Sequence, residues 1–482
     1  MTTESNKIVN GLKWSAVERF SVQGVQFGIG IILARLLTPA DFGIIGMLTI
    51  FIAISQTFID SGFSNALIRK QDRTDDDNST AFYFNLAIGF ICYIILYCLS
   101  PYIASFYSMP ILKDVLRLLA LSLVINSTII VQIALLSSSI DFKTQAYINL
   151  SSSFFSGMIG IALAFLGYGV WSLVYQQLCR SFINMVLYWF CAKWKPIRIF
   201  SLKSFRSLFG YGSKILLSGL LNTFYVNITS LLIGKFYSSS DLGNYERGKQ
   251  MSALPIDNIV LIFQRVTFPV FSKLQNDNTN LTEQYRKYMK VSSCIIFFIA
   301  FLLITLAKPI ILLLLTSKWE EAIILMQLYC FATMFDHVTR LNLNLLQAKG
   351  RSDLFLKLEI IKKILSLCLI VLALPFGIIA INIALIIYSQ IAIYINTYYS
   401  NKLFGITYIS QIYDFGKYFI SSVFAWLPAF ILVQFNAPFI LSIFLGVALA
   451  LFLYVRVLLK NDGTMMSILR VIQSERKIFN KI

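Results

Sequence analysis

Charge is scarce in this chain: Asp, Glu, Lys and Arg make up only 13% of its 482 residues, where a soluble domain carries about 25%. Long hydrophilic stretches are missing as well, none exceeding about 20 residues, so there is no room for a soluble catalytic domain. The single histidine is His337, and the seven cysteines (Cys92, Cys98, Cys179, Cys191, Cys294, Cys330, Cys368) are scattered through apolar runs without metal-ligand spacing. Neither a metal centre nor a disulfide framework is expected from that pattern. There is no Ser/His/Asp set, no carboxylate pair in a soluble segment and no glycine loop of the kind that cradles phosphates. The sequence therefore reads as no enzyme, with no cofactor and no metal, and any work it does would draw on an ion or substrate gradient. The polar start, Met1 to Lys13, leads into a segment interrupted by Glu18, Arg19, Gln23 and Gln26. A cleavable signal has an unbroken apolar region, so this first helix is expected to stay.

What the chain has instead is apolar surface. Residues of the apolar set make up 57% of it, in recurring runs of about 20, the length a helix needs to cross a hydrocarbon core of about 30 Å. Fourteen spans follow: 12–35, 42–65, 81–105, 112–136, 146–167, 169–192, 208–234, 244–272, 288–312, 321–347, 357–375, 378–401, 418–435 and 438–459. The fold expected is an all-α membrane protein. The net charge of +18 lies between the spans and reads as topology, with no nucleic-acid partner. One side collects 28 basic residues, among them Arg69, Lys70, Arg73, Lys195, Arg198, Lys203, Arg286 and Lys290; the other collects seven, Arg35, Lys113, Arg117, Lys235, Arg247, Lys308 and Lys318. Positive charge stays in the cytoplasm, which puts both termini inside.

The chain also repeats itself. Arg35, Asp41 and Gly43 in ARLLTPADFG return two hundred residues later as Lys235, Asp241 and Gly243 in GKFYSSSDLG, each after a long helix. Asp141-Phe142-Lys143 and Asp353 to Lys357 correspond more loosely. Six spans separate the copies, so the halves share orientation, as parallel repeats do. The expected organisation is an N-terminal lobe at 1–200 (spans 1–6), a C-terminal lobe at 201–405 (spans 7–12), and spans 13–14 with a tail at 406–482.

Ionisable residues inside spans are costly and usually face a cavity. Six bases qualify: Arg19, Arg180, Lys214, Lys249, Arg265 and Arg340. Helical spacing aligns Ser15, Arg19, Gln23 and Gln26 on span 1, and Lys214, Ser218, Asn222, Tyr225 and Thr229 on span 7. Span 8 aligns Arg247, Gln250, Asp257, Gln264 and Arg265, and span 10 aligns Tyr329, Thr333, Asp336, Arg340, Asn344 and Gln347. Counted from the cytoplasmic ends, Arg19, Lys214, Arg265 and Arg340 fall roughly 9–14 Å deep at 1.5 Å per residue, a layer suited to an anionic group. Each has a bland alternative. Asp336 and Arg340, one turn apart, either neutralise each other or face a cargo; Lys214 either binds or snorkels; Arg180 either contacts cargo or caps a helix. Asp60 and His337 are candidates for proton or ion coupling, against structural roles for both.

The segments Ala34–Gly43 (ARLLTPADFG), Asp60–Lys70 (DSGFSNALIRK), Gly167–Leu178 (GYGVWSLVYQQL), Leu232–Tyr245 (LIGKFYSSSDLGNY), Phe268–Lys273 (FPVFSK) and Ala348–Asp353 (AKGRSD) together resemble polysaccharide flippases. These belong to the multidrug/oligosaccharidyl-lipid/polysaccharide exporter superfamily, and the likeness is to the colanic-acid and O-antigen type. It implies two six-helix lobes around a central cavity, with two C-terminal helices added and alternating access. It also implies movement of undecaprenyl-diphosphate-linked oligosaccharide across the bacterial inner membrane, with a polysaccharide polymerase and a chain-length regulator as partners. Where many relatives have a basic residue near the end of the fourth span, this chain has Leu136-Ser137-Ser138-Ser139-Ile140, so a cation's role there does not carry over. Two other readings compete. A drug/cation antiporter of the same superfamily would favour acidic cavity residues, and a membrane-embedded polymerase or ligase would need a long outer loop.

Overall fold

Short polar side chains fix where the helices begin. A helix leaves its first N–H groups without intrahelical partners, and Asp141 accepts from Thr144 N at 3.1 Å, Asp277 from Asn280 N at 3.0 Å and Thr407 from Ser410 N at 3.1 Å. The computed structural model describes residues 3–60, 62–70, 72–435 and 438–461. Among them are eighteen α-helices, two single 3-10 turns and no strand. Arg470, Arg476, Lys477 and Lys481, counted above with the cytoplasmic charge, lie outside the described residues.

The contacts divide the chain into two units, Met1–Gly243 and Asn244–Ile482. The first holds α1 (Thr3–Leu36), α2 (Pro39–Asp60), α3 (Phe63–Arg69), α4 (Asp75–Phe106), α5 (Ile111–Ser127), α6 (Ile130–Ser138), α7 (Phe142–Phe165), α8 (Val170–Cys191), α9 (Leu202–Phe236) and the start of α10 (Ser239–Lys273). At its centre α2 packs against α4, α5, α8 and α9, while α7 lies against both α1 and α8. The sequence places a boundary at 200; the contact boundary falls after Gly243 because α9 packs along α2.

The second unit continues α10 and adds α11 (Asn278–Thr305), α12 (Ala307–Leu314), α13 (Glu321–Thr333), α14 (Asp336–Ala348), α15 (Ser352–Ala373), α16 (Ile378–Phe404), α17 (Tyr408–Gln434) and α18 (Phe439–Asn461). Here α16 packs on α13, α14 and α15, and α11 packs on α13, α14 and α17. The two last helices are tied in by polar contacts. Arg286 grips the buried Asp414 with Nε at 2.8 Å and Nη2 at 3.0 Å. Trp426 Nε1 donates to Phe298 O at 3.0 Å, and Tyr454 OH to Cys294 O at 2.7 Å.

Each of the fourteen expected segments falls on one helix or on two consecutive helices. Span 4 bends by 43° between α5 and α6, and span 10 breaks between α13 and α14. Among the described residues nine helices are long and apolar enough to cross a membrane, or ten if the bent pair counts as one. The chain is a multi-pass membrane protein. The segments below that threshold are α1, α8, α15 and α18. Arg19, Gln23 and Gln26 lower the first, and Gln176, Gln177, Arg180 and Asn184 the second. Lys357, Glu359, Lys362 and Lys363 lower α15, and α18 counts as a shorter apolar helix over Ser442–Val457. Polarity inside a span is what marks a helix with something other than lipid to meet.

The sequence repeat is a structural repeat. Thr38 donates from N and Oγ1 to Asp41 Oδ2 at 2.9 and 2.7 Å, and Asp41 N returns to Thr38 Oγ1 at 3.4 Å. Ser238 makes the same bonds to Asp241 Oδ2 at 3.1 and 2.7 Å, with the return at 3.1 Å. These are reciprocal caps at the starts of α2 and α10, and they touch. A Cβ on Gly43 would lie 1.7 Å from Ser239 O, and one on Gly243 would lie 1.9 Å from Pro39 O.

Candidate functional site

In the first unit, α1 presents Arg19, Gln23 and Gln26, all half-buried, and α9 presents Lys214 and Asn222, both exposed. Arg180 of α8 is not directed at open space. With its amide oriented so that oxygen meets the guanidinium, Gln26 accepts from both Arg180 Nη atoms at 2.6 Å, an orientation assigned from the hydrogen bonds themselves. The contact ties α8 to α1. Glu18 is likewise engaged, accepting from Asn149 Nδ2 at 2.6 Å. Among the described residues no carboxylate lies within 4 Å of Arg19 or Lys214.

Asp60 stands at the end of α2, where Gly62 turns the chain with φ +69° into α3. Gly62 presses so closely on Gly212 of α9 that an added Cβ would lie 2.6 Å from the Gly212 carbonyl oxygen. The break opens a cavity of about 420 Å3 lined by Thr57, Asp60, Ser64 and Asn65 on one side and by Ile130, Ile133, Ile215 and Leu216 on the other. Gln56 Nε2 donates to Asp60 Oδ1 at 3.0 Å, and Gln56 Oε1 accepts from Asn126 Nδ2 at 3.5 Å. Thr57 and Thr223 share a hydroxyl hydrogen bond at 3.0 Å. Arg73 Nη2 donates to Ser138 Oγ at 2.6 Å. The serine run Ser137–Ser139 is thus met by a cation from the α3–α4 connection.

In the second unit the polar face is denser in charge. Asp257 and Arg265 of α10 and Arg340 of α14 are exposed, and Asp336 is half-buried. No carboxylate lies within 4 Å of Arg265 or Arg340 among the described residues. Asp336 and Arg340 thus do not close a direct ion pair. Arg340 instead lies within electrostatic reach of Asp257, Asp336 and Lys362, which come from three helices. Lys249 stands 3.9 Å from Glu246. Asn344 fastens α14 to α10, donating to Gln264 O at 3.1 Å and Thr267 Oγ1 at 2.8 Å.

His337 is buried and bonded at both nitrogens, Nδ1 to Met334 O at 2.8 Å and Nε2 to Ser293 Oγ at 2.8 Å. A carbonyl only accepts, so Nδ1 carries the proton and Nε2 accepts from the serine hydroxyl. That geometry suits a structural histidine. Sequence reasoning missed Lys362 and Asn126, which reach these sites from other helices and leave no mark in local spacing.

An all-helical chain of apolar spans, with polar faces and bases inside them, has the architecture of a membrane transporter. The chain belongs to a polysaccharide biosynthesis protein family, whose model matches residues 32–324. It is 27% identical over 357 residues to the teichuronic acid biosynthesis protein TuaB of Bacillus subtilis, covering 73% of this chain and 74% of that one. It is 23% identical over 372 residues to the lipopolysaccharide biosynthesis protein WzxC of Escherichia coli, covering 76% and 75%. Its fold is similar to that of the lipid II flippase MurJ in an inward closed conformation, with a TM-score of 0.74 at 15% identity, over 92% of this chain and 98% of that one.

Proposed function

We propose that this protein is a flippase that carries a lipid-linked oligosaccharide, held on a polyprenyl diphosphate such as undecaprenyl diphosphate, across the bacterial inner membrane for surface polysaccharide synthesis. Membership of the polysaccharide biosynthesis family is the observation that carries the reading. The basic side chains support it. Arg19 and Lys214 of the first unit, and Arg265 and Arg340 of the second, lie on polar faces with no carboxylate within 4 Å among the described residues. In each unit these bases receive the anionic headgroup during transport, arginine by paired hydrogen bonds and lysine as a point charge. The excess of positive charge on one side supports a topology with both termini in the cytoplasm. A polymerase and a chain-length regulator then act on the delivered unit.

The test compares substitutions in a strain lacking the gene, with membrane abundance measured alongside. Arg19→Ala and Arg265→Ala are expected to abolish surface polymer and leave complete units on the carrier at the cytoplasmic leaflet. Arg19→Lys and Arg265→Lys retain part of the export. Normal export by both alanine variants would remove these residues from the headgroup's path.

A further inference from the structure

The cavity beside Asp60 is not accounted for by headgroup binding. Among the described residues no basic side chain lines it, and a carboxylate repels a diphosphate. Nor is it sized for a bare cation: about 420 Å3 is on the order of a dozen water volumes and lies within the roughly 300–1,000 Å3 of pockets that hold small organic ligands. What lines it is a short set of hydrogen-bonding groups facing a wall of isoleucine and leucine. Asn126 and Gln56 act in series on Asp60, so that Gln56 occupies Oδ1 and holds the carboxylate in place. Among the described residues Asp60 Oδ2 and the side chains of Ser64 and Asn65 have no hydrogen-bond partner, although all three residues line the cavity. A carboxylate oxygen accepts from hydroxyls, an amide both accepts and donates, and aliphatic side chains pack against C–H faces. That combination recognises a polyhydroxylated ring.

We propose that this cavity is a sugar-binding subsite of the first unit, taking one or two neutral sugar rings of the cargo with Asp60 Oδ2 as the principal acceptor. The proposal rests on the flippase reading and adds to it which residues recognise the sugars apart from the lipid headgroup. Asp60 is then a specificity residue and not a coupling residue. Gly219 lines the same space, and a Cβ there would meet only the Thr57 methyl, at 3.1 Å. A side chain can therefore be grown into the cavity without moving backbone.

The experiment uses the purified full chain and three probes: the oligosaccharide unit released from its carrier, free undecaprenyl diphosphate, and sodium ion. Thermal unfolding is followed with each. The released oligosaccharide is expected to raise the wild-type midpoint. Asp60→Asn and Gly219→Met should weaken that response by about tenfold or more in oligosaccharide concentration, the loss of a hydrogen bond to a charged group, while the response to undecaprenyl diphosphate stays. An oligosaccharide response that survives in both variants, or is missing from the wild type, overturns the subsite. A sodium response lost only in Asp60→Asn overturns it too and returns Asp60 to coupling. If the wild type responds to neither the oligosaccharide nor the diphosphate, the flippase reading itself fails.

Discussion

The turn that opens α2 and the turn that opens α10 are two hundred residues apart and nearly superimposable in their bonding, whereas the polar faces of the two units have gone separate ways. Thr38 with Asp41 and Ser238 with Asp241 close the same reciprocal cap, and Gly43 and Gly243 each lie against the other turn's backbone. The arginines on the polar faces are held quite differently. In the first unit Arg180 is satisfied by the neutral amide of Gln26. In the second, Arg340 stands among Asp257, Asp336 and Lys362. The repeat is retained where backbone sterics allow one solution and has diverged where chemistry is free to vary.

The sharpest way to break this comparison is at the glycines. A Cβ at 1.7 or 1.9 Å from a carbonyl oxygen forces backbone apart, so Gly43→Val and Gly243→Val are each expected to lose about 3 kcal/mol or more of stability, at the upper end of overpacking costs. Gly24→Ala and Gly28→Ala, where an added Cβ meets nothing within 4 Å, should leave the unfolding midpoint unchanged or raise it, since alanine is the better helix former. Size-exclusion recovery after heating reads both. Unequal losses at Gly43 and Gly243 would mean that the two turns do not bear on each other equally.

The arginines come next. Gln26→Leu leaves a half-buried guanidinium without its acceptor, at a cost of about 1–3 kcal/mol, and adding Arg180→Leu should recover much of it because both partners are then apolar. Asp336→Asn should cost less, because Arg340 keeps Asp257 within electrostatic reach, and its effect should shrink as salt is raised. Unfolding midpoints of the singles and the double, at low and high salt, separate the two cases. A salt-sensitive Gln26→Leu, or a double no better than the single, would place the two arginines in one electrostatic class.

How much of this was legible in the chain follows from what each feature depends on. Span positions depend on local apolar runs, and all fourteen segments fall on helices. The bend at Thr128–Ile129 between α5 and α6 left no trace, because no proline or glycine marks it and the three polar residues Asn126-Ser127-Thr128 are too short a run to interrupt an apolar span. The repeat was readable from Asp41 and Asp241 because a cap is a bond between residues three apart. The face of α1 was readable too, since Arg19, Gln23 and Gln26 follow helical spacing. That Gln26 answers Arg180 was not, because the partner lies 154 positions away on α8 and only packing brings them together. The same holds for the cavity at Asp60, which is assembled from α2, α3, α6 and α9.

The smallest expected effect is the finest probe of the two turns, because it leaves backbone and charge in place. Thr38→Ala and Ser238→Ala each remove the hydroxyl that donates to the aspartate at 2.7 Å and accepts from its backbone N–H. Loss of such a cap costs about 0.5–2 kcal/mol, typically near 1. Both hydroxyls are in exposed residues, so water replaces part of what is lost and the lower half of that range is expected. Threonine also buries a methyl that serine lacks, yet at an exposed turn this adds little, so the two losses should agree within about 0.5 kcal/mol. Since the turns are in contact, the double variant tests coupling directly: neighbours that share a structure depart from additivity by about 0.5–3 kcal/mol. Equal single losses with a non-additive double are the result expected of two equivalent caps supporting one contact. Equal losses that simply add would mean that each cap serves its own helix alone, with the contact held by the glycines.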